Sequence, residues 1–217
     1  MRFEAGQKLK DYRLPALLVA LPLGLLLWLY IRFCRLTSRV TISENLKNIS
    51  PHSILFYIHR DYYTSLLVTG DLARAFPQGT VFLGYHGFYS YVPWIWFMPS
   101  HCLVCRYFPH APVKPFAFIL SFVRQYPERL YLQYTDSGGP YGRVRESLPK
   151  LGKELERPIV AARILASRSV EVLGHQLPLP FSRITWLVSQ PLQVDRLQCI
   201  TIEEARNALQ KQLDQLA

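Results

Sequence analysis

The stretch YLQYTDSGGPYGRVR, residues 131–145 of this 217-residue chain, joins a short apolar segment to a loop rich in glycine and arginine. Residues 131–134 are aromatic and apolar, as in a buried strand, and residues 136–145 bring an acid, three glycines, a proline and two arginines. Glycines let the backbone approach a ligand closely, and guanidinium groups offer paired donors to phosphate or carboxylate oxygens. The pattern predicts an anion-binding loop at a strand end. An ordinary turn with solvated arginines is the alternative.

Strand and helix patterns alternate on both sides of this loop. Strands are predicted at 53–59, 80–84, 101–107, 131–134, 158–163, 169–173 and 184–188, and helices from about 60 to 76 and at 113–126, 147–155 and 201–216. The last helix opens with the capping box Thr201-Ile-Glu-Glu204. This alternation predicts an α/β fold with a mostly parallel sheet flanked by helices, in which ligands gather beyond the strand ends.

The first part of the chain carries a long apolar run, from Leu14 to Ile31, without a charged side chain. Its length approaches the thickness of the bilayer core, and no small-residue cleavage site follows it, so we expect a retained membrane anchor rather than a signal peptide. Pro15, Pro22 and Gly24 leave room for a helix that lies partly in one leaflet. Residues 1–40 are therefore predicted to be an anchor with basic flanks, and residues 41–217 an α/β domain.

Charge and hydropathy narrow the class of partner. The chain has 25 Lys and Arg against 15 Asp and Glu, a formal net charge of +10, and half of its residues are hydrophobic. A basic chain favours nucleic acid, anionic lipid or an acidic substrate. Because no Lys/Arg-rich run or nucleic-acid motif is present, a membrane surface is predicted, and no nucleic acid.

The cysteines do not form the pattern of a disulfide framework, and a reducing compartment is expected. Cys102 and Cys105 form a CxxC beside His101, with His110 beyond, which could be half of a zinc site. No second ligand pair follows at usable spacing. Core thiols and no metal are therefore predicted.

Four motifs, in their order along nearly the whole chain, resemble the lysophospholipid acyltransferase superfamily and in particular its bacterial DUF374-like branch. They are a strand ending in Ile58-His59, the arginine in Cys105-Arg106-Tyr107, the glycine-rich loop 135–143, and the late segment LPLPFSRI at 177–184. The resemblance implies a membrane-associated enzyme that moves an acyl chain from acyl-CoA or acyl carrier protein to a lysophospholipid-like hydroxyl. It implies no metal or organic cofactor, and a place at the bacterial inner membrane with the domain on the cytoplasmic side.

The resemblance also suggests roles for individual residues. His59 would be the general base, since its reference pKa of about 6.5 lets it accept and return a proton near neutrality, with Asp61 as the nearby acid. The remaining residues would bind substrate: Arg106 and Arg143 hold phosphate, Gly138 and Gly139 offer backbone N–H groups, and Asp136 orients Arg143 or the loop.

One departure from the family pattern leaves two functions open. The wider superfamily carries H-x-x-x-x-D, in which the acid orients the histidine ring, and here the fifth residue after His59 is Thr64. Asp61 lies only two residues away, and such positions do not share a helical face. The alternatives are therefore an acyltransferase and a non-catalytic relative that keeps the fold and the anion loop and binds lipid.

Overall fold

The computed structural model describes residues 14–77, 80–85, 102–107, 115–134, 142–172 and 174–216. The predicted site residues Asp136, Gly138 and Gly139 lie outside these ranges, as do His101, His110 and the aromatic segment 88–98. For His59 and Arg106 the main chain is described.

A seven-stranded sheet forms the centre of the fold, in the order β1-β9-β6-β2-β5-β3-β4. All neighbouring strands in it are parallel except the antiparallel pair β6 and β9. The mostly parallel sheet expected from the alternation of patterns is thus confirmed. Strands β7 and β8 form a separate antiparallel hairpin. The strands are β1 Arg39–Ile42, β2 Ile54–Tyr57, β3 Thr80–Tyr85, β4 Cys102–Tyr107, β5 Leu130–Tyr134, β6 Ile159–Ala166, β7 Ser169–Val172, β8 His175–Pro178 and β9 Arg183–Val188.

Helices cover both faces of the sheet. They are α1 Leu14–Thr37, α2 Tyr62–Leu67, α3 Thr69–Ala75, α4 Pro115–Arg124, α5 Ser147–Leu155, α6 Val194–Cys199 and α7 Ile202–Asp214, with short 3₁₀ turns at Glu44–Asn48 and His59–Asp61. Side chains alternate along a strand. Leu55 and Tyr57 of β2 accordingly join a core with α1, α2 and α3, while Ile54 and Phe56 join a second core with α4 to α7.

The last helix follows the sequence prediction. Thr201 caps α7 by accepting a hydrogen bond from the backbone N–H of Glu204, and the Glu204 carboxylate accepts one from the N–H of Thr201, which completes the capping box. The side chains of Ala205, Leu209 and Leu213 are buried on one face. Helix α7 is therefore fixed at its start and along its inner side.

Helix α1 differs from the predicted anchor. It continues six residues beyond Ile31, to Thr37, and its later part enters the core, where Ile31 and Cys34 are buried. The hydroxyl of Tyr30 donates to the carbonyl oxygen of Pro178 at 2.7 Å. Among the residues that the structure describes, none of the helices has the length and apolar character needed to span a bilayer. The membrane anchor expected at residues 14–31 stays a prediction.

Strand β1 was not expected from the sequence. It lies at the edge of the sheet beside β9, and most of its residues are exposed, so it lacks the apolar run that marks a buried strand. The predicted division between residues 1–40 and 41–217 falls inside this strand and stays a prediction. The contacts of Ile31 and Cys34 show that part of the first segment packs on the second.

Candidate active site

The chain reaches His59 and the glycine-rich loop from two neighbouring strands, at the carboxyl ends of the parallel strands. Strands β2 and β5 are adjacent and parallel, with Tyr57 and Tyr134, their last residues, in register. Neighbouring strands lie about 4.8 Å apart. His59 comes two residues after β2, and the loop starts at the first residue after β5. The fold therefore places the backbone turn that carries His59 next to the point where the chain enters the predicted anion loop, although the two are far apart in the sequence.

Arg106 lies at this same edge but farther along it. It is the next-to-last residue of β4 and is in register with Gly84 of β3. Three strand spacings, about 14 Å in all, separate β4 from β2.

The chain around Arg143 is held by a residue that sequence reasoning missed. The side-chain amide of Gln210, on α7, accepts a hydrogen bond from the N–H of Val144 at 2.8 Å and donates one to the carbonyl oxygen of Gly142 at 3.1 Å. Gly142 has a φ of 78°, which favours glycine. The Arg143 side chain is exposed between these two fixed peptides. Its backbone is thus anchored while its guanidinium faces outward.

Asp61 ends the turn that carries His59, and its carboxylate is completely buried. Oδ2 accepts a hydrogen bond from Nε of Arg163 at 2.7 Å and one from the N–H of Ile164 at 3.3 Å, both on β6. Burial raises the pKa of Asp61, and the charge of Arg163 and these two hydrogen bonds oppose that rise. The carboxylate therefore ties the His59–Asp61 turn to β6. Its predicted second role, beside His59, stays a prediction.

Thr64, which stands where the family carries its acid, is also inside the protein. Its side chain is fully buried, and its hydroxyl donates to the carbonyl oxygen of Asp61 at 2.8 Å. This bond is made within the first turn of α2. Thr64 thus stabilises the start of α2 with a neutral hydroxyl, where the family has a charged carboxylate.

Two tyrosines pack together at the ends of β2 and β5. The rings of Tyr57 and Tyr134 lie with centroids 6.0 Å apart, and the hydroxyl of Tyr134 forms a hydrogen bond with that of Ser65 on α2. Burial raises the pKa of Tyr57 well above its ordinary value, and the neighbouring Tyr134 and Asp61 raise it further. Tyr57 is therefore a protonated, neutral group at all physiological pH values. The two strand ends and α2 form one packed unit beneath His59.

The described residues contain no group of three or more His, Cys, Asp or Glu side chains that could hold a metal ion. Cys102 and Cys105 lie in β4, whereas their histidine neighbours fall outside the described ranges. A histidine follows β2 and an arginine lies near the end of β4, and residues of these types transfer protons and bind anions in proteins.

Comparison with known proteins yields a likeness in fold and none in sequence. No protein-family model matches the chain, and no curated protein matches it in sequence. The fold is similar to that of the 1-acyl-sn-glycerophosphate (LPA) acyltransferase PlsC from Thermotoga maritima, with a TM-score of 0.55 and 13% sequence identity over 87% of this chain and 77% of that chain. At this level of identity the likeness shows the fold: an α/β arrangement with a mostly parallel sheet, shared with an acyltransferase.

Proposed function

We propose that this protein is a membrane-associated acyltransferase, which transfers an acyl chain from a thioester to the hydroxyl of a lysophospholipid-like acceptor. The observation that carries the proposal is that β2 and β5, which lead into His59 and into the glycine-rich loop, are adjacent, parallel and end in register. The fold around them is similar to that of an LPA acyltransferase. Membership of the DUF374-like branch is part of the proposal and rests on the four sequence motifs.

The proposed chemistry has one proton transfer and one acyl transfer. His59 takes the proton of the acceptor hydroxyl, whose oxygen attacks the thioester carbonyl. The carbon–sulfur bond breaks as the tetrahedral intermediate collapses, and the departing thiolate takes the proton from His59. Backbone N–H groups of Gly138 and Gly139 would stabilise the negative oxygen or bind the phosphate of the acceptor. The acyl donor, acyl-CoA or acyl carrier protein, is a substrate, so the reaction requires no cofactor.

The arginines suit an acceptor that carries phosphate. The Arg143 guanidinium is exposed on a backbone that Gln210 fixes, so little order is lost when an anion binds there. Arg106 lies at the far end of the same edge. In this proposal the acceptor phosphate binds near the loop, and Asp136 orients the loop or Arg143.

The test is a transfer assay with the full chain in lipid–detergent micelles. Lysophosphatidic acid would be supplied with acyl-CoA or with acyl carrier protein, and the product identified by mass spectrometry. Substitution His59→Ala should lower turnover by about 10²-fold to 10⁴-fold, because a positioned base is lost. His52→Ala is the matched control, since exposed His52 precedes β2 at the opposite edge of the sheet. Full turnover by folded His59→Ala would refute the mechanism.

A second function is favoured by Thr64 and by the arginine bound to Asp61. With a neutral residue at the family's acid position and the nearby carboxylate joined to Arg163, the protein could bind lipid without catalysis. In that case the wild-type chain would bind lysophosphatidic acid and produce no new acyl product with either donor. Equal lipid affinity of the wild type and His59→Ala, with no turnover in either, is the outcome that selects this function.

A further inference from the structure

Helix α1 is apolar on two sides, and the domain covers one of them. Its inner side packs on the core through Leu27, Tyr30, Ile31 and Cys34. Its outer side is exposed to solvent at Leu25, Leu26, Leu29, Phe33 and Leu36. Apart from the adjacent pair Leu25 and Leu26, these positions are spaced three or four apart, along one helical face. An exposed apolar face on a helix is commonly an interaction surface. The outer side of α1 therefore calls for a second apolar partner.

An exposed phenylalanine from a distant part of the chain extends this face. Phe181 lies between β8 and β9, its side chain is 69% exposed, and its ring meets that of Phe33 edge-on at a centroid distance of 6.4 Å. The backbone of Phe181 has a φ of 61°, a region that bulky residues rarely occupy. We define Leu25, Leu26, Leu29, Phe33, Leu36 and Phe181 as the α1–Phe181 ridge.

The end of α1 holds Phe181 in this conformation. The N–H of Phe181 donates to the hydroxyl of Thr37 at 3.4 Å, and the N–H of Ser182 donates to the hydroxyl of Ser38 at 3.2 Å. Strained backbone persists where the surrounding structure fixes it, and it concentrates at functional positions. Here the strain places an aromatic ring in water beside an apolar helix face. That arrangement gains stability when the ring enters an apolar phase.

Four exposed arginines accompany the ridge: Arg32, Arg39, Arg168 and Arg183. Arg32 lies on α1 itself, and Arg183 follows Phe181 by two residues. Arg39 and Arg183 are register partners on β1 and β9, an arrangement in which like charges repel. None of the four forms an ion pair with an acidic residue in the described ranges. Arg32 also lies over the ring of Trp28, at 5.5 Å from its centroid. The ridge is thus bordered by positive charge, which an anionic surface would complement.

We propose that the α1–Phe181 ridge docks on the surface of an anionic lipid bilayer. The apolar side chains enter the boundary between headgroups and acyl chains, and the four arginines bind lipid phosphates. An apolar ridge bordered by unpaired positive charge fits such a surface, which offers hydrocarbon and phosphate together. Because the later part of α1 is bonded to the domain at Pro178, the ridge lies along the protein surface and meets the membrane side-on. The docking rests on the membrane association in the proposed function, and it holds whether or not the protein transfers acyl groups.

The apolar half of the proposal is tested with Phe181→Asn. Asparagine tolerates the left-handed backbone, so the loop should keep its conformation. Binding of the full chain to vesicles of phosphatidylcholine and phosphatidylglycerol would be measured by flotation. The partition coefficient should fall about ten-fold, as expected for withdrawing most of a phenylalanine ring from an apolar phase. Ile42→Thr is the control, since it removes an exposed apolar side chain near the other end of β1 and should leave partitioning unchanged.

The charged half is tested with the double variant Arg39→Gln/Arg183→Gln. Its binding to the same vesicles should fall by at least ten-fold at low salt, because each basic residue near an anionic surface contributes appreciably. The loss should shrink at high salt and be absent on pure phosphatidylcholine. Lys150→Gln/Arg196→Gln removes the same charge from α5 and α6, on the opposite face of the sheet, and should bind normally.

Two results would overturn the proposal. One is wild-type partitioning by both Phe181→Asn and Arg39→Gln/Arg183→Gln. The other is a lipid-free dimer that Phe181→Asn dissociates while vesicle binding stays unchanged, which would assign the ridge to a second copy of the chain. Neither result bears on the transfer assay with His59→Ala, so docking and catalysis are tested separately.

Discussion

Nε of Arg163 lies 2.7 Å from Oδ2 of Asp61 and joins the centre of β6 to the turn that carries His59. The side chain of Arg163 is only 12% exposed and that of Asp61 is fully buried, so the pair is largely removed from water. A buried ion pair that loses one partner leaves an uncompensated charge in the interior. The position of the turn, and with it that of His59, consequently depends on both residues.

Replacing Arg163 should destabilise the fold. Arg163→Met keeps much of the side-chain volume and removes the charge, and the free energy of unfolding should fall by about 3–5 kcal/mol because Asp61 remains buried without its partner. Chemical denaturation at neutral pH measures this loss. The double variant Asp61→Asn/Arg163→Met removes both charges and should recover part of the stability. If the double variant is no more stable than Arg163→Met, the two side chains are not energetically coupled.

The Arg163→Met variant should also depend on pH in a definite direction. Burial then acts on Asp61 without the opposing charge, so its folded pKa lies further above the unfolded value of about 3.9. Below about pH 4 both states carry the proton, and the penalty is small. As the pH rises from there through the folded pKa, the unfolded state releases its proton more readily, and stability falls. Denaturation at several pH values should show a deficit that grows from acid to neutral pH.

Gln210 offers a test of how the loop is held. Gln210→Ala removes the two hydrogen bonds to Gly142 and Val144, and stability should fall by about 1–3 kcal/mol. Gln210→Glu keeps an acceptor for the N–H of Val144 but turns a negative oxygen toward the carbonyl oxygen of Gly142 and the carboxylate of Asp214, so a loss at least as large is expected. Affinity for lysophosphatidic acid should fall in both variants if Arg143 binds its phosphate. If Gln210→Ala is destabilised but binds lysophosphatidic acid as well as the wild type, the hydrogen bonds of Gln210 do not contribute to ligand binding.

Arg143 itself should contribute directly to phosphate binding. Arg143→Ala is expected to weaken binding of lysophosphatidic acid by about 1–3 kcal/mol, because a charge-assisted hydrogen bond is lost, and to leave folding intact since the side chain is exposed. Calorimetric titration of the folded variants measures the difference. Arg196→Ala, on α6, removes the same charge from another exposed site and serves as the control. If the two variants bind lysophosphatidic acid with equal affinity, Arg143 is a solvated surface residue and does not bind the phosphate.

The sequence was sufficient for the parts of the fold that are buried or locally encoded. Strands β2, β5 and β6 are covered on both faces, and their sequences are accordingly apolar runs. The start of α7 is predicted by the four consecutive residues of its capping box. Edge strand β1 is mostly exposed and has no such run. The apolar run of α1 indicated a helix, but its composition could not show that Ile31 and Cys34 face the core of the domain.

The contacts that fix the candidate site are long-range, and this is why sequence reasoning missed them. Gln210 and Val144 are 66 residues apart, and Arg163 and Asp61 are 102 apart. A glutamine on a helix surface gives no indication in the sequence of which distant residue it contacts. Arg163 did carry one, since an arginine within the apolar run IVAARILA requires a buried partner, but the sequence could not say which acid supplies it.

Thr64→Asp restores the H-x-x-x-x-D spacing of the resembling family, and we expect it to destabilise the protein without increasing turnover. Thr64 is fully buried, and its hydroxyl donates to the carbonyl oxygen of Asp61. A carboxylate there cannot donate to that oxygen and would be desolvated close to the charge of Asp61. The free energy of unfolding should therefore fall by about 3 kcal/mol or more at pH 7. The deficit in stability should be smaller at pH 5, because burial raises the pKa of the introduced carboxyl group and its protonation removes the cost of a buried charge.

Thr64→Val is the matched control for this substitution. It keeps the shape of the side chain and loses only the hydrogen bond to Asp61, so a decrease of about 1 kcal/mol is expected. Both variants would be compared with the wild type by denaturation at the two pH values and in the transfer assay. A folded Thr64→Asp protein that is as stable as Thr64→Val and turns over faster than the wild type would contradict this expectation. It would show that the position accepts an acid acting on His59, and that the wild-type chain works with that acid missing.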